Sequence, residues 1–297
     1  MEGKYLIWHV QGGLGKNIAA TALTKDIKQK YPDRKFILVC SFPEIFLNNP
    51  DIDKVYNVGQ LNHFYETYIE NKDVIVFKHE PYFQSDHITK KKHLIHNWCD
   101  LLDIKYKNQQ PKVYINYSQT QLVNQWTRSK PVLLLNTSGG PFDHPGKNFV
   151  YNWARDLPIE VANLIVSKYK NTYDIIHLTR PGAYKLEGVE RMDKKMSNLQ
   201  LISLVFSSSK RILIDSAAQH AAAAFNLKSD VFWIGTSPIL FGYKVHNNLV
   251  AKLPKRANQL INSYDFDYQF HDNVHECPYM GVNEIFDLKE VLNNLES

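Results

Sequence analysis

Short apolar runs alternate with longer segments in which apolar residues recur every three or four positions, the signatures of strands and amphipathic helices in turn. In the first half, Tyr5 to Val10 reads as a strand and Gly12 to Gly15 as a turn. Ile18, Ala19, Ala22, Leu23, Ile27 and Tyr31 then form the apolar stripe of a helix that Pro32 and Asp33 stop. Phe36 to Cys40, Val55 to Val58 and Val74 to Phe77 read as further strands, His87 to Leu102 as a helix, and Val113 to Asn116 as a last strand.

The rhythm restarts after the polar stretch Tyr117 to Lys130. Val132 to Asn136, Ile175 to Leu178, Ile212 to Ile214 and Val231 to Ile234 read as strands. Pro158 to Tyr169, Leu199 to Phe206 and the alanine-rich Ala217 to Phe225 read as helices. Asp287 and Glu290 open a closing helix whose apolar face is Leu288, Val291, Leu292 and Leu295. Alternation of this kind predicts an α/β protein with parallel, doubly wound sheets. The expected organisation is a Rossmann-like domain over 1–125, a second over 131–280 and a C-terminal helix over 284–297. Two such domains face each other across a cleft, and ligands bind where strands end and helices begin.

Composition narrows the class. With 44% hydrophobic and 22% charged residues the chain has the make-up of a folded protein, and 297 residues suffice for two domains. No run approaches the length of a membrane span, and the first ten residues show no secretory pattern. Cys40, Cys99 and Cys277 are far apart and outside any CxxC spacing, so a reducing, cytoplasmic location is expected. His271, His275, Glu276 and Cys277 lack the paired spacing of a metal site. The formal charge of +5 gathers partly in Lys90, Lys91 and Lys92 and in Lys252, Lys255 and Arg256. Such a bias suits a polyanionic partner, and it equally suits a solvated face.

Several loops between strand and helix carry candidate chemistry. Gly12, Gly13 and Gly15 with Lys16 allow close backbone approach and present free N–H groups to an anion, as a tight turn without a ligand also does. Neither a P-loop nor GxGxxG is present. Asp215, Ser216 and Ala217 open the alanine helix, with His220 one turn further on; this suits a diphosphate or an ordinary capped helix. Ser138, Gly139 and Gly140 supply a hydroxyl and backbone donors, Lys147 and Arg155 follow, and Thr179 and Arg180 end another strand. Glu80 lies just past Val74 to Phe77 and is the first candidate for a general base, with Asp86 and His87 as substitutes.

Taken together these segments resemble the heptosyltransferase-like glycosyltransferases, the ninth family of such enzymes, which have the GT-B fold. The resemblance lies in Gly13-Leu14-Gly15, in Lys30 to Asp33, in Asn48-Asn49-Pro50-Asp51-Ile52-Asp53-Lys54-Val55, and in Asp215 to His220 with the alanines that follow. Cys277-Pro278 also fits. To a lesser degree the glycine string is similar to the loop of fucosyltransferase-like GT-B enzymes. Two positions depart from the family pattern: its presumed catalytic aspartate falls at Lys16, and the glycine of its DSG motif at Ala217.

The resemblance implies a metal-independent, inverting transfer of sugar from a nucleotide diphosphate donor to an acceptor hydroxyl, with no cofactor. The donor falls to Ser138, Gly139, Gly140, Lys147, Arg155, Thr179, Arg180, Asp215, Ser216, Ala217 and His220. The acceptor falls to Gly12, Gly13, Gly15 and Lys16, and its proton to Glu80 or Asp86. A surface glycan and a hydroxylated nucleic acid are the two acceptor classes, and a monomer or weak dimer is expected. Lys16 motivates one rival, a nucleotide-sugar-binding protein without catalysis; an epimerase is a weaker one.

Overall fold

β1 (Lys4–Val10) ends at Gly12, whose φ of +113° belongs to glycine, and Gly13 caps α1 (Leu14–Ala20). This is the computed structural model of the chain, and it describes residues 3–139, 152–194, 196–254 and 277–295. α2 (Thr24–Lys30) leads to β2 (Lys35–Cys40) and β3 (Lys54–Asn57), and α3 (Phe64–Tyr68) to β4 (Asp73–Phe77). The four strands pair in parallel in the order β3-β2-β1-β4.

Two short helices follow, α4 (Ser85–Ile88) and α5 (Leu94–Leu101), where the apolar stripe predicts one continuous helix from His87 to Leu102. The break falls on residues 89–92, which contain no apolar side chain to hold a helix on the core. Lys90 there is left-handed, and His93 restarts the helix by accepting the Ile95 N–H at Nδ1 (3.2 Å). Val113 to Asn116 forms no strand. Val113 is buried, but Lys112 donates its N–H to Thr21 Oγ1 at 2.8 Å, a side-chain partner in place of a neighbouring strand.

The polar stretch contains α6 (Tyr117–Asn124), which packs on the second half. β5 (Val132–Asn136), α7 (Asn152–Arg155), α8 (Ile159–Tyr169), β6 (Asp174–Leu178) and β7 (Glu190–Met192) come next. α9 (Asn198–Ser207) starts at a capping box of Ser197 and Gln200. β8 (Lys210–Ile214), α10 (Ala217–Ala224), β9 (Asp230–Trp233), α11 (Pro238–Phe241) and β10 (Asn247–Val250) complete a six-stranded parallel sheet, ordered β10-β9-β8-β5-β6-β7. Its central strands β5, β8 and β9 are buried nearly throughout, as sheets covered on both faces require, while β7 and β10 at the edges are partly exposed.

After a one-turn helix at Val282–Ile285 the chain makes successive turns over 287–295 instead of the expected closing helix. Val291 and Leu295 are nonetheless buried against the outer face of the second sheet. That face has its own cluster around Leu133, Ile165 and Phe232, and the outer face of the first sheet a smaller one around Ile7, Ile37 and Phe64. The largest cluster is shared. It runs from Trp8, Phe36 and Trp98 through Ile18 and Ala19 of α1 to Ala218 and Ala222 of α10 and Trp233 of β9.

Candidate active site

Both sheets change direction beside their first strand: β1 lies between β2 and β4, and β5 between β6 and β8. Loops leaving two such neighbours diverge and open a crevice at their carboxyl ends. The loops at these two points are those after β1, β4, β5 and β8. They carry Gly12 to Lys16, Glu80, Ser138 with Gly139, and Asp215 with Ser216.

On the N-terminal side, Lys16 is only 8% exposed, and its ammonium forms a salt bridge with Glu80 Oε2. Glu80 Oε1 accepts the Tyr82 N–H at 3.3 Å, so both carboxylate oxygens are held. The Lys16 ammonium also lies 4.5 Å from the centre of the Tyr82 ring. A Cβ at residue 12 would lie 3.0 Å from Lys16 Cδ, so glycine there leaves room for the lysine stem. Asn17 fixes the turn by donating its amide to the Gly12 and Gly13 carbonyls at 3.2 and 3.0 Å. Gly13 itself faces open space. Asp86 is not drawn into this group: it pairs with Lys92 at 2.8 Å, and that bond holds its carboxyl below the usual range. His87 is fully buried and stacked on Tyr82.

On the C-terminal side, Ser216 caps α10 by accepting the Ala218 N–H at 3.3 Å and donates its hydroxyl to Asn136 Oδ1 at 2.7 Å. Arg155 spans from α7 to this turn and donates to the Asp215 carbonyl from Nε (2.8 Å) and Nη2 (2.5 Å). Ser138 Oγ bonds Thr179 Oγ1 at 3.0 Å and accepts the Arg180 N–H at 2.7 Å. Arg180 donates to the Gly139 carbonyl at 2.9 Å and forms a salt bridge with Asp156. Burial nevertheless keeps the Asp156 carboxyl above its ordinary range. These contacts make the two arginines and the Thr179 hydroxyl braces of the loops. Gly140 and Lys147 lie outside the described residues, as do His271, His275, Glu276, Lys255 and Arg256.

The loops of the two sides come together at Gly15 and His220. A Cβ built on Gly15 would lie 2.6 Å from His220 Cδ2 and 3.1 Å from His220 Nε2, so only glycine lets α1 lie this close to α10. The alanines of α10 serve the same approach, and Ala218 to Ala224 are all buried. His220 Nδ1 bonds the Tyr243 hydroxyl at 2.8 Å. Burial drives the His220 pKa well below its ordinary value and the Tyr243 pKa upward, so both are neutral near pH 7. Asn136, Asp156, Tyr82 and Tyr243 are structural members of this region that no local motif announces. Each is recruited from a separate stretch of chain.

The basic runs are partly neutralised: Lys92 pairs with Asp86 and Asp100, and Lys252 with Asp287 at 3.9 Å. Among the described residues no cluster of three or more His, Cys, Asp or Glu side chains is placed to hold a metal ion, and no helix is long and apolar enough to cross a membrane.

No protein-family profile and no curated protein matches the sequence. Solved structures do match the fold. A family 9 glycosyl transferase from Veillonella parvula aligns over 99% of this chain and 97% of its own, at 12% identity and a TM-score of 0.67. The ADP-heptose LPS heptosyltransferase II of E. coli aligns over 83% and 90%, at 13% identity and 0.57. The dodecameric iron-containing heptosyltransferase TibC, solved with ADP-D-beta-D-heptose, aligns over 98% and 77%, at 13% identity and 0.62. At these identities the likeness is one of fold, and the fold is that of the family 9 glycosyltransferases, as the resemblance in the loops implied.

Proposed function

We propose that this chain is a glycosyltransferase that moves a sugar from a nucleotide diphosphate sugar to an acceptor hydroxyl, the two substrates meeting between the two sheets. The observation that carries this reading is the Gly15–His220 contact, which brings the crevice loops of one sheet against those of the other. A donor site and an acceptor site need that adjacency, because transfer requires the reacting atoms within about 3–3.5 Å of each other. The relatives in fold include one solved with ADP-heptose, so ADP-sugars are the first donors to test.

In this reading the C-terminal side holds the donor. The N-terminus of α10 offers N–H groups and a positive dipole to the diphosphate, beside Ser216 and Ala217. With the Tyr243 hydroxyl donating to Nδ1, neutral His220 carries its proton on Nε2, which faces the Gly15 turn. It is there a neutral donor to a phosphate oxygen. Ser138 and Gly139 line the neighbouring loop, and Arg155 and Arg180 keep both loops in place. Lys147 and Gly140 are assigned to the donor on sequence alone.

The N-terminal side receives the acceptor at Gly12, Gly13 and Gly15. Glu80 is the general base, and Lys16, where the family has its aspartate, is the group that orients it. Each Glu80 oxygen keeps a further lone pair, and the side chain is 30% exposed, so an acceptor hydroxyl can reach it. The transfer is inverting by analogy with the family that the loops resemble, and no metal enters the scheme. A surface glycan is the favoured acceptor class over nucleic acid, because the two basic runs are partly paired with carboxylates.

Incubation with ADP-, UDP- and GDP-sugars, read as release of the nucleoside diphosphate, is the direct test. Glu80→Gln should lower kcat by about 10²–10⁴-fold with little change in donor affinity. Full turnover by that variant removes Glu80 as the base. Tight nucleotide binding without turnover on any acceptor leaves a binding protein instead.

A further inference from the structure

Tyr82 touches more of the two halves than any role in capping a turn explains. Its backbone N–H is held by Glu80 Oε1 at 3.3 Å, and the Lys16 ammonium sits over its ring at 4.5 Å. The other contacts lead away from the acceptor loop. The ring stacks on buried His87, with centroids 4.8 Å apart and planes 10° from parallel. Phe241, the last residue of α11 in the C-terminal half, meets the Tyr82 ring edge-on at 6.0 Å and the His87 ring at 5.5 Å.

A lysine ammonium is attracted to the face of an aromatic ring, most strongly where water is largely excluded, and Lys16 is 8% exposed. Two forces therefore fix the Lys16 head group, Glu80 on one side and the Tyr82 ring on another. The ring is in turn fixed by His87, and both rings rest against Phe241. His87 is neutral near pH 7, since burial, with a lesser push from the nearby Lys16 ammonium, lowers its pKa to about 4. It therefore adds no repulsive charge to the ammonium.

We infer that Tyr82 is a positioning residue that sets the Lys16–Glu80 geometry only while Phe241 of the other half is seated against it. The inference rests on the reading of Glu80 as general base, and it goes further by making the strength of that base depend on the seam between the halves. A donor-side half in place keeps the rings stacked, the ammonium still and the carboxylate aimed. A displaced one leaves the same groups present but loosely held, and loss of aim lowers the rate without removing a reacting group.

Steady-state kinetics on the full chain test this. Tyr82→Leu should lower kcat by about tenfold or more with donor KM little changed, and Tyr82→Phe, which keeps the ring, should restore kcat to near the parent value. Phe241→Ala should lower kcat in the same manner, and the double variant Tyr82→Leu/Phe241→Ala should be no slower than Tyr82→Leu alone. An unchanged kcat in Tyr82→Leu, an equal loss in Tyr82→Phe, or additive losses in the double variant would each overturn the inference.

A second measurement needs no turnover. Acetic anhydride labelling of Lys16, read by mass spectrometry, should speed up about tenfold in Tyr82→Leu and in Phe241→Ala but not in Tyr82→Phe. Unaltered protection of Lys16 in Tyr82→Leu sinks the clamp whatever the kinetics give. Absence of transfer by the parent chain, with the labelling pattern as expected, sinks the glycosyltransferase reading and leaves the clamp standing.

Discussion

At the scale of single residues, the region depends on side chains that are absent as much as on those present. Gly15 has no positive φ to justify it; its hydrogen side chain is the gap into which His220 fits. Gly15→Ala should destabilise the fold by about 1–3 kcal/mol through overpacking, because His220 is held by Tyr243 and has little room to turn. The change is measured as a lower urea midpoint with an unaltered m-value. A variant as stable as the parent would show that α1 and α10 separate easily, and the loops proposed to hold donor and acceptor would lose the contact on which their pairing rests. Much of this is legible in the chain. Gly12, Gly13, Gly15, Ser216 and His220 stand in local motifs whose physics is that of a turn or a helix start. Tyr82, Asn136, Asp156 and Tyr243 are not legible, because each acts through a partner distant in sequence: Tyr243 meets His220 across 23 positions and Asn136 meets Ser216 across 80. Lys16 can be read as a departure from a family pattern, but its pairing with Glu80 spans 64 positions and has no sequence signal.

At the scale of elements, strands are the most legible, and the differences fall where periodicity is weak or where a polar segment reads as an unattached linker. β1 and β2 of the first sheet and the central strands of the second are dense apolar runs, so their burial follows from composition alone. The short edge strands β7 and β10 lack such runs, and only the strand beside each defines them. The stretch from Tyr117 to Lys130 is the clearest case of the other kind. Trp126 is 6% exposed and donates its indole N–H to Ser203 Oγ at 2.8 Å, tying the segment after α6 to α9 of the second half. Trp126→Phe removes that bond and part of the packing, and should cost about 1–3 kcal/mol. Denaturant unfolding followed by circular dichroism will read the loss. A cost near zero would mean that α6 contributes little to holding the segment, as the bare polarity of the sequence suggests.

At the scale of the whole molecule, acid should be the strongest lever on stability. Burial lowers the pKa of His87, His93, His177 and His246 to about 4, and holds that of His220 well below its ordinary value. In the unfolded chain each takes up a proton near pH 6.5. Between that value and 4 the unfolded chain therefore binds more protons than the folded one, and falling pH favours unfolding. Each fully shifted histidine contributes a slope approaching about 1.4 kcal/mol per pH unit. The paired carboxylates Asp53 and Asp86, held below their usual range, lose their contribution only further down, as pH falls below about 4. Urea unfolding at pH 7, 6 and 5 samples the histidine window alone, and a stability that stays flat from pH 6.5 to 5 would contradict the burial of these rings in neutral form.

The same scale explains why the halves can be read from the chain but their union cannot. Each sheet follows its own local rhythm, whereas the cluster shared by Ile18, Ala19, Ala218 and Ala222 is a match between two surfaces. That match bears on how such a protein can change over generations. Where two halves join through water-filled, polar surfaces, one can be exchanged for a counterpart and a new pair of substrates acquired at a stroke. Here the seam is core. A foreign half would have to bring complementary small residues at the positions of Gly15 and of the α10 alanines, so new specificities are more readily reached by altering the loops above the strands than by trading one half for another.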